Sequence, residues 1–247
     1  MPVLRWLASV PVRYCVALGV IVVPILATLV ARWALGDDRT AADVAELGYG
    51  LPALQEGRWW TLFTGTVLVD GLSIPLPSFT VIAVVLYEHV ARHWRTLVAL
   101  VGGQVLGVLL VLLAVIPLQD NTSAFAREIT TVTDFGISVG GFACMGAWTA
   151  YLRSPLRRAT RLGVTCYMIG PLLLSGLIFD LSHTVGWFLG ILAGPFLMRP
   201  KQQDQRPVGR QAWPWMAPAV VVGTTIGIYA GWSGGGIGGI FGWGPEP

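Results

Sequence analysis

Apolar runs of about 20 residues recur along this chain, and that is the length an α-helix needs to cross the hydrocarbon core of a bilayer. Read with a window of that size, the sequence offers candidate spans at 15–35, 74–90, 96–116, 134–151, 162–179, 181–198 and 213–232. Lipid offers no hydrogen bonds to a backbone, so each crossing must pair its own N–H and C=O groups. Runs of this kind do so as helices, and the expected fold is all-α and polytopic. Composition agrees, with 54% of the 247 residues hydrophobic and 12% charged, about half the charge fraction of a soluble domain. Pro75 and Pro77 near the start of the second span mark irregular backbone there, to be covered by surrounding protein.

Charge sets the orientation. With the N-terminus cytoplasmic, the inner segments hold Arg5 and Arg13, then Arg92 and Arg95, then Arg153, Arg157, Arg158 and Arg161, then Arg199, Lys201, Arg206 and Arg210; the acids there are Glu88 and Asp204. Successive inner segments thus obey the positive-inside rule together. The run at 15–35 is longer than a signal-peptide core and no small-residue cleavage site follows it, so it reads as an uncleaved first span. The expected organisation is a cytoplasmic N-terminus at 1–14, a six-helix membrane core over 15–198, a basic cytoplasmic loop at 199–212, a seventh transmembrane helix at 213–232 and a Gly-rich outer tail at 233–247. That describes an integral multi-pass protein of the cell membrane with its C-terminus outside. Cys15, Cys144 and Cys166 all fall in apolar runs and read as small fillers, not as a disulfide framework.

Two polar residues stand out in this apolar setting: Ser138, in Gly136-Ile137-Ser138-Val139-Gly140-Gly141-Phe142, and His183, in His183-Thr184-Val185-Gly186-Trp187. The topology starts spans four and six at the same, outer face. Ser138 and His183 then lie within a few Å of the same depth at 1.5 Å per residue. Gly136, Gly140, Gly141 and Gly146 on one span, and Gly186, Gly190 and Gly194 on the other, form the small-residue stripes that let helix backbones approach in lipid. A serine and a histidine brought together so can act as nucleophile and base. A helix start adds unpaired N–H groups and a positive dipole end, which suit an oxyanion.

These residues carry a resemblance to the rhomboid family of intramembrane serine proteases. Gly136-Ile137-Ser138 with Phe142, Gly146 and Ala147 resembles the family's serine motif on its fourth helix, and His183, Gly186 and Gly190 resemble its histidine motif on the sixth. Gly57-Arg58-Trp59-Trp60-Thr61-Leu62-Phe63-Thr64 is similar to the stretch before helix two, and Glu88 to the glutamate at that helix's end. The likeness runs in order from about 57 to 198. It implies a six-helix rhomboid-like bundle with an added seventh helix. It also implies a Ser138/His183 dyad cleaving transmembrane substrates near the outer face, with Gly136, Val139, Gly140, Gly186 and Gly190 shaping the oxyanion region and its packing.

The chain departs from the family pattern at Val139, where a glycine usually follows the serine, and in the stretch from Val69 to Val84, which lacks the His and Asn of many members. A catalytically inactive relative that binds transmembrane helices or lipids is therefore the alternative, and a transporter or channel is a third class, for which midplane ionisable residues or paired broken helices are wanting. Asp134 and Asp180 read as N-terminal caps on spans four and six, Asp180 with a possible tuning role toward His183. Glu88 reads as an i,i+4 partner of Arg92 at the inner face. Trp59, Trp60 and Trp213 read as interfacial anchors, and His89 and His93 have no assigned role. No His, Cys or carboxylate group has metal-ligand spacing and no phosphate loop appears, so no metal or cofactor is expected. The expected partners are transmembrane proteins and lipid, with no nucleic acid.

Overall fold

A computed structural model describes residues 14–35, 45–68, 78–121, 124–174 and 178–198. Every regular element among them is helical, so the fold is all-α. Helix α1 is Cys15–Leu35. Two short helices follow, α2 at Leu51–Gln55 and α3 at Thr61–Val67, and then α4 at Ser78–Val90. Helix α5 runs His93–Leu118, with a π-helical turn at Val98–Gly102 and a 3₁₀ end at Ile116–Leu118. After α6, Ala124–Thr131, come α7, Ser138–Trp148, α8, Ser154–Leu174, and α9, Ile178–Leu197. The proposed seventh helix and its flanking loop and tail, with Trp213, lie outside the described residues, as do 74–77 of the second span.

Helix α5 is long and apolar enough by itself to cross a membrane; Cys15–Ala31 and Phe79–Val90 are shorter apolar helices. The length of α7 explains why it differs from a free-standing span. Its 11 residues cover only about 16 Å at 1.5 Å per residue, and its side chains from Val139 to Cys144 are all buried. It is a core strut enclosed by α4, α5 and α9.

Glycine permits that enclosure. On α9, Gly186, Gly190 and Gly194 recur every four residues on one face, and a Cβ added at each would meet the carbonyl oxygens of Val139, Ala143 and Ala147 on α7. From the other partner, a Cβ on Gly146 of α7 would meet the Trp187 carbonyl. Helix α5 repeats the device: Gly103 lies against the Ala143 side chain and Gly107 against Val139, while Gly140 of α7 faces the Leu100 carbonyl. Backbone contact on both sides gives α7 dispersion contacts that longer side chains would prevent. Trp187, fully buried, donates its indole N–H to Thr165 Oγ1 at 3.0 Å and so ties α9 to α8.

At the opposite end from Ser138, Glu88 departs from the expected Arg92 pair. Helix α4 ends at Val90, and Arg92 is extended at φ −91°, so no i,i+4 geometry exists there. The buried Glu88 carboxylate instead accepts the N–H groups of Val16 at 3.0 Å and Ala17 at 2.9 Å, capping α1 from a neighbouring helix, and pairs with His93 Nδ1 at 2.7 Å. His89 contacts Tyr14, whose hydroxyl lies 2.8 Å from its Nδ1. Both histidines left without a role by the sequence thus tie α1 to the rest of the bundle.

Substituting Gly190→Val places branched carbon against the Ala143 carbonyl, and we expect a loss of about 3 kcal/mol from such overpacking. A thermal melt of the purified protein checks it; a wild-type melting temperature would contradict so close a crossing.

Candidate functional site

Ser138 is the first residue of α7, and Gly136 makes the turn that puts it there. Gly136 adopts φ +96°, a conformation in which a Cβ is strained, and its N–H donates to the Gly65 carbonyl at 2.7 Å. The chain then enters α7 with Ile137 as a cap that offers no side-chain hydrogen bond. Asp134 is therefore not the cap expected for this helix. It pairs through its backbone with Tyr49 in an isolated antiparallel bridge, and its carboxylate accepts the Tyr49 hydroxyl at 3.1 Å and its neighbour Phe135 N–H at 2.7 Å. The helix starts four residues beyond Asp134, out of its reach as a cap.

Gln104, projecting from α5 and fully buried, fastens this turn. Its carboxamide N–H donates to the Gly136 carbonyl at 2.9 Å and to Tyr49 Oη at 3.4 Å, and its oxygen accepts the Gly140 N–H at 3.0 Å. Burial and the Asp134 carboxylate push the Tyr49 phenol well above its ordinary range, so it stays a proton donor at neutral pH. Gln104 consumes the Gly140 amide, and Gly141 donates to the Ile137 carbonyl. The Ser138 and Val139 amides are left as the first-turn donors.

The structure brings Ser138 and His183 together: Ser138 Oγ lies 2.7 Å from His183 Nε2. His183 is on the second turn of α9, which starts at Ile178, so Asp180 sits inside the first turn and is not an N-cap. Its carbonyl accepts Thr184 Oγ1 at 2.8 Å, and its residue lines the same cavity as the pair. Aromatic packing holds the imidazole: Phe142 lies 4.8 Å from it between ring centroids, and Phe79 stacks on Phe142 at 4.4 Å. Both groups open on a cavity of about 250 Å³ lined also by Phe79, Thr80, Phe142, Tyr167 and Met168.

Val139 does not stand in this cavity. Its side chain is completely buried, with Cγ1 where a Cβ on Gly107 or Gly186 would fall, at 2.6 and 2.9 Å. Gly140, Gly186 and Gly190 serve the helix packing described above. Among residues the sequence did not single out, Phe79 and Thr80 line the cavity of the pair, and Gln104 and Tyr49 hold the turn that precedes Ser138. Of these only the buried amide of Gln104 in an apolar span carried a signal, as a polar group needing partners.

One further grouping crosses spans. Ligand atoms of Cys15, Glu88 and His93 lie within 4.8 Å of one another, a proximity that no sequence spacing predicted. Glu88 and His93 are at hydrogen-bond distance, 2.7 Å, whereas two ligands of a tetrahedral zinc at about 2.0–2.1 Å would stand about 3.3 Å apart. The carboxylate is also occupied by two helix amides, and the observed arrangement is a clasp on α1. No family model, curated protein or solved structure matches the chain.

Replacing Gln104 with leucine orphans the Gly140 N–H and the Gly136 carbonyl. We expect Gln104→Leu to lose about 1–3 kcal/mol, read as a lower melting temperature; an unchanged melt would show that the turn is held by other contacts.

Proposed function

We propose that this chain is a rhomboid-like intramembrane serine protease, a multi-pass membrane protein that cleaves transmembrane segments near the outer face with Ser138 as nucleophile and His183 as base. The observation that carries this reading is the 2.7 Å contact between Ser138 Oγ and His183 Nε2 at the mouth of a cavity large enough for several substrate atoms. Supporting it, α5 is apolar over a membrane-spanning length and turns Leu97, Leu106, Leu110 and Leu113 outward while Gln104 faces inward. Leu26 and Val30 on α1 and Leu192 and Phe196 on α9 are also exposed apolar groups, as a lipid-facing surface requires. Trp59 and Trp60, both exposed, fit an interfacial belt.

In this mechanism the Ser138 proton passes to His183 Nε2 as Oγ bonds to the scissile carbonyl carbon. The carbonyl π pair moves onto oxygen, and the Ser138 and Val139 amides at the start of α7 face that charge. His183 then returns the proton to the departing amine, and water entering from the outer face repeats the sequence on the acyl-enzyme. The phenyl ring of Phe142 packs against the imidazole and limits its rotation.

Labelling of purified protein with a serine-reactive fluorophosphonate tests the proposal. Wild type is expected to label, Ser138→Ala not at all, and His183→Ala about 10²–10⁴-fold more slowly, with all three folded. Failure of folded wild type to label in both detergent and lipid would favour the alternative, a non-proteolytic protein that binds transmembrane helices.

A further inference from the structure

Buried polar groups almost always have hydrogen-bond partners, so each one without a partner calls for a cause. Among the described residues, the buried side-chain atoms lacking one belong to Thr28, Thr80, Tyr87 and Arg95. Thr80 alone of these lines the cavity that Ser138 and His183 share. It is 1% exposed, on the first turn of α4, and sits directly against α7: a Cβ on Gly141 would fall 2.8 Å from its Oγ1. Gly141 is three residues after Ser138, so one helical turn separates the contacted backbone from the nucleophile. The Thr80 hydroxyl has no hydrogen-bond partner, whereas Thr66, Thr130 and Thr184 elsewhere in this chain are satisfied by their i−4 carbonyls.

We propose that Thr80 is a catalytic oxyanion donor, its hydroxyl kept unpaired so that the partner is the oxygen that becomes negative during acyl transfer. The inference rests on the protease reading of the Ser138 and His183 pair. As Ser138 Oγ bonds to the carbonyl carbon and its proton goes to His183 Nε2, the π pair collects on the carbonyl oxygen. Thr80 donates a hydrogen bond to that oxygen and keeps its proton. It complements the two amides of the α7 start from α4, on the lining of the same cavity, where a neutral hydroxyl can turn toward the charge without titrating. An acceptor absent in the resting protein and present only in the transition state is the condition for speeding the chemical step.

The test compares fluorophosphonate labelling rates of wild type, Ser138→Ala, Thr80→Val, Thr80→Ala and Thr80→Ser, because the phosphoryl oxygen of this probe occupies the oxyanion position as Ser138 Oγ displaces fluoride. Thr80→Val is expected to label about 10²–10³-fold more slowly than wild type, and Thr80→Ser, which keeps the donor, within several-fold of it. Thr80→Val is nearly isosteric and removes an unpaired buried hydroxyl, so its melting temperature should rise by about 2 °C or more. A hydroxyl serving structure would give the opposite shift. Should Thr80→Val not fold, Thr80→Ala against Thr80→Ser supplies the same comparison. Wild-type labelling by the folded valine or alanine variant, with Ser138→Ala silent, would overturn the Thr80 assignment and leave the dyad intact. A folded wild type that never labels would overturn both.

Discussion

The near-contact of the α7 and α9 backbones is the condition on which the rest depends. Side chains of ordinary length hold packed helix axes 8–10 Å apart. Here Gly186, Gly190 and Gly194 let α9 lie on the carbonyl oxygens of α7, and the short Ser138 side chain reaches His183. The same contact makes Val139 the filler between Gly107 and Gly186. A β-branched residue next to the nucleophile therefore serves packing, with one stiff rotamer that fixes the rotation of α7 about its axis.

Two polar clusters frame this apolar contact at opposite ends of the bundle. At the Ser138 end, Gln104, Tyr49 and Asp134 satisfy the turn that precedes α7. At the other, Glu88 satisfies the start of α1. In both cases a side chain from a different helix answers for amides that the helix itself cannot pair. The Gln104 cluster also pairs the Gly136 carbonyl and the Gly140 N–H of the irregular backbone that leads into α7.

The helical character of the chain, the Ser138 and His183 juxtaposition and the glycine stripe were legible from sequence, because each is local or periodic. A polar residue in an apolar run is visible at once, both residues fall near the start of their runs, and a four-residue glycine period marks one helix face. The partners of Gln104 and Glu88 were not legible, since their contacts join positions 36 and 72 residues apart with no repeating pattern. The caps assigned to Asp134 and Asp180 failed for a more local reason: hydropathy marks where apolar composition begins, and the helices begin at Ser138 and Ile178. Thr80 escaped notice because threonine in a helix is ordinarily satisfied by its own backbone, and only coordinates reveal one that is not.

The 45-residue separation of Ser138 and His183 in sequence has a bearing on biogenesis. During synthesis the serine emerges first, and every intermediate that ends before α9 carries a hydroxyl with no base beside it. The pair is thus assembled only when α9 docks by its glycines onto α7, so the order of synthesis makes it one of the last features of the bundle to form.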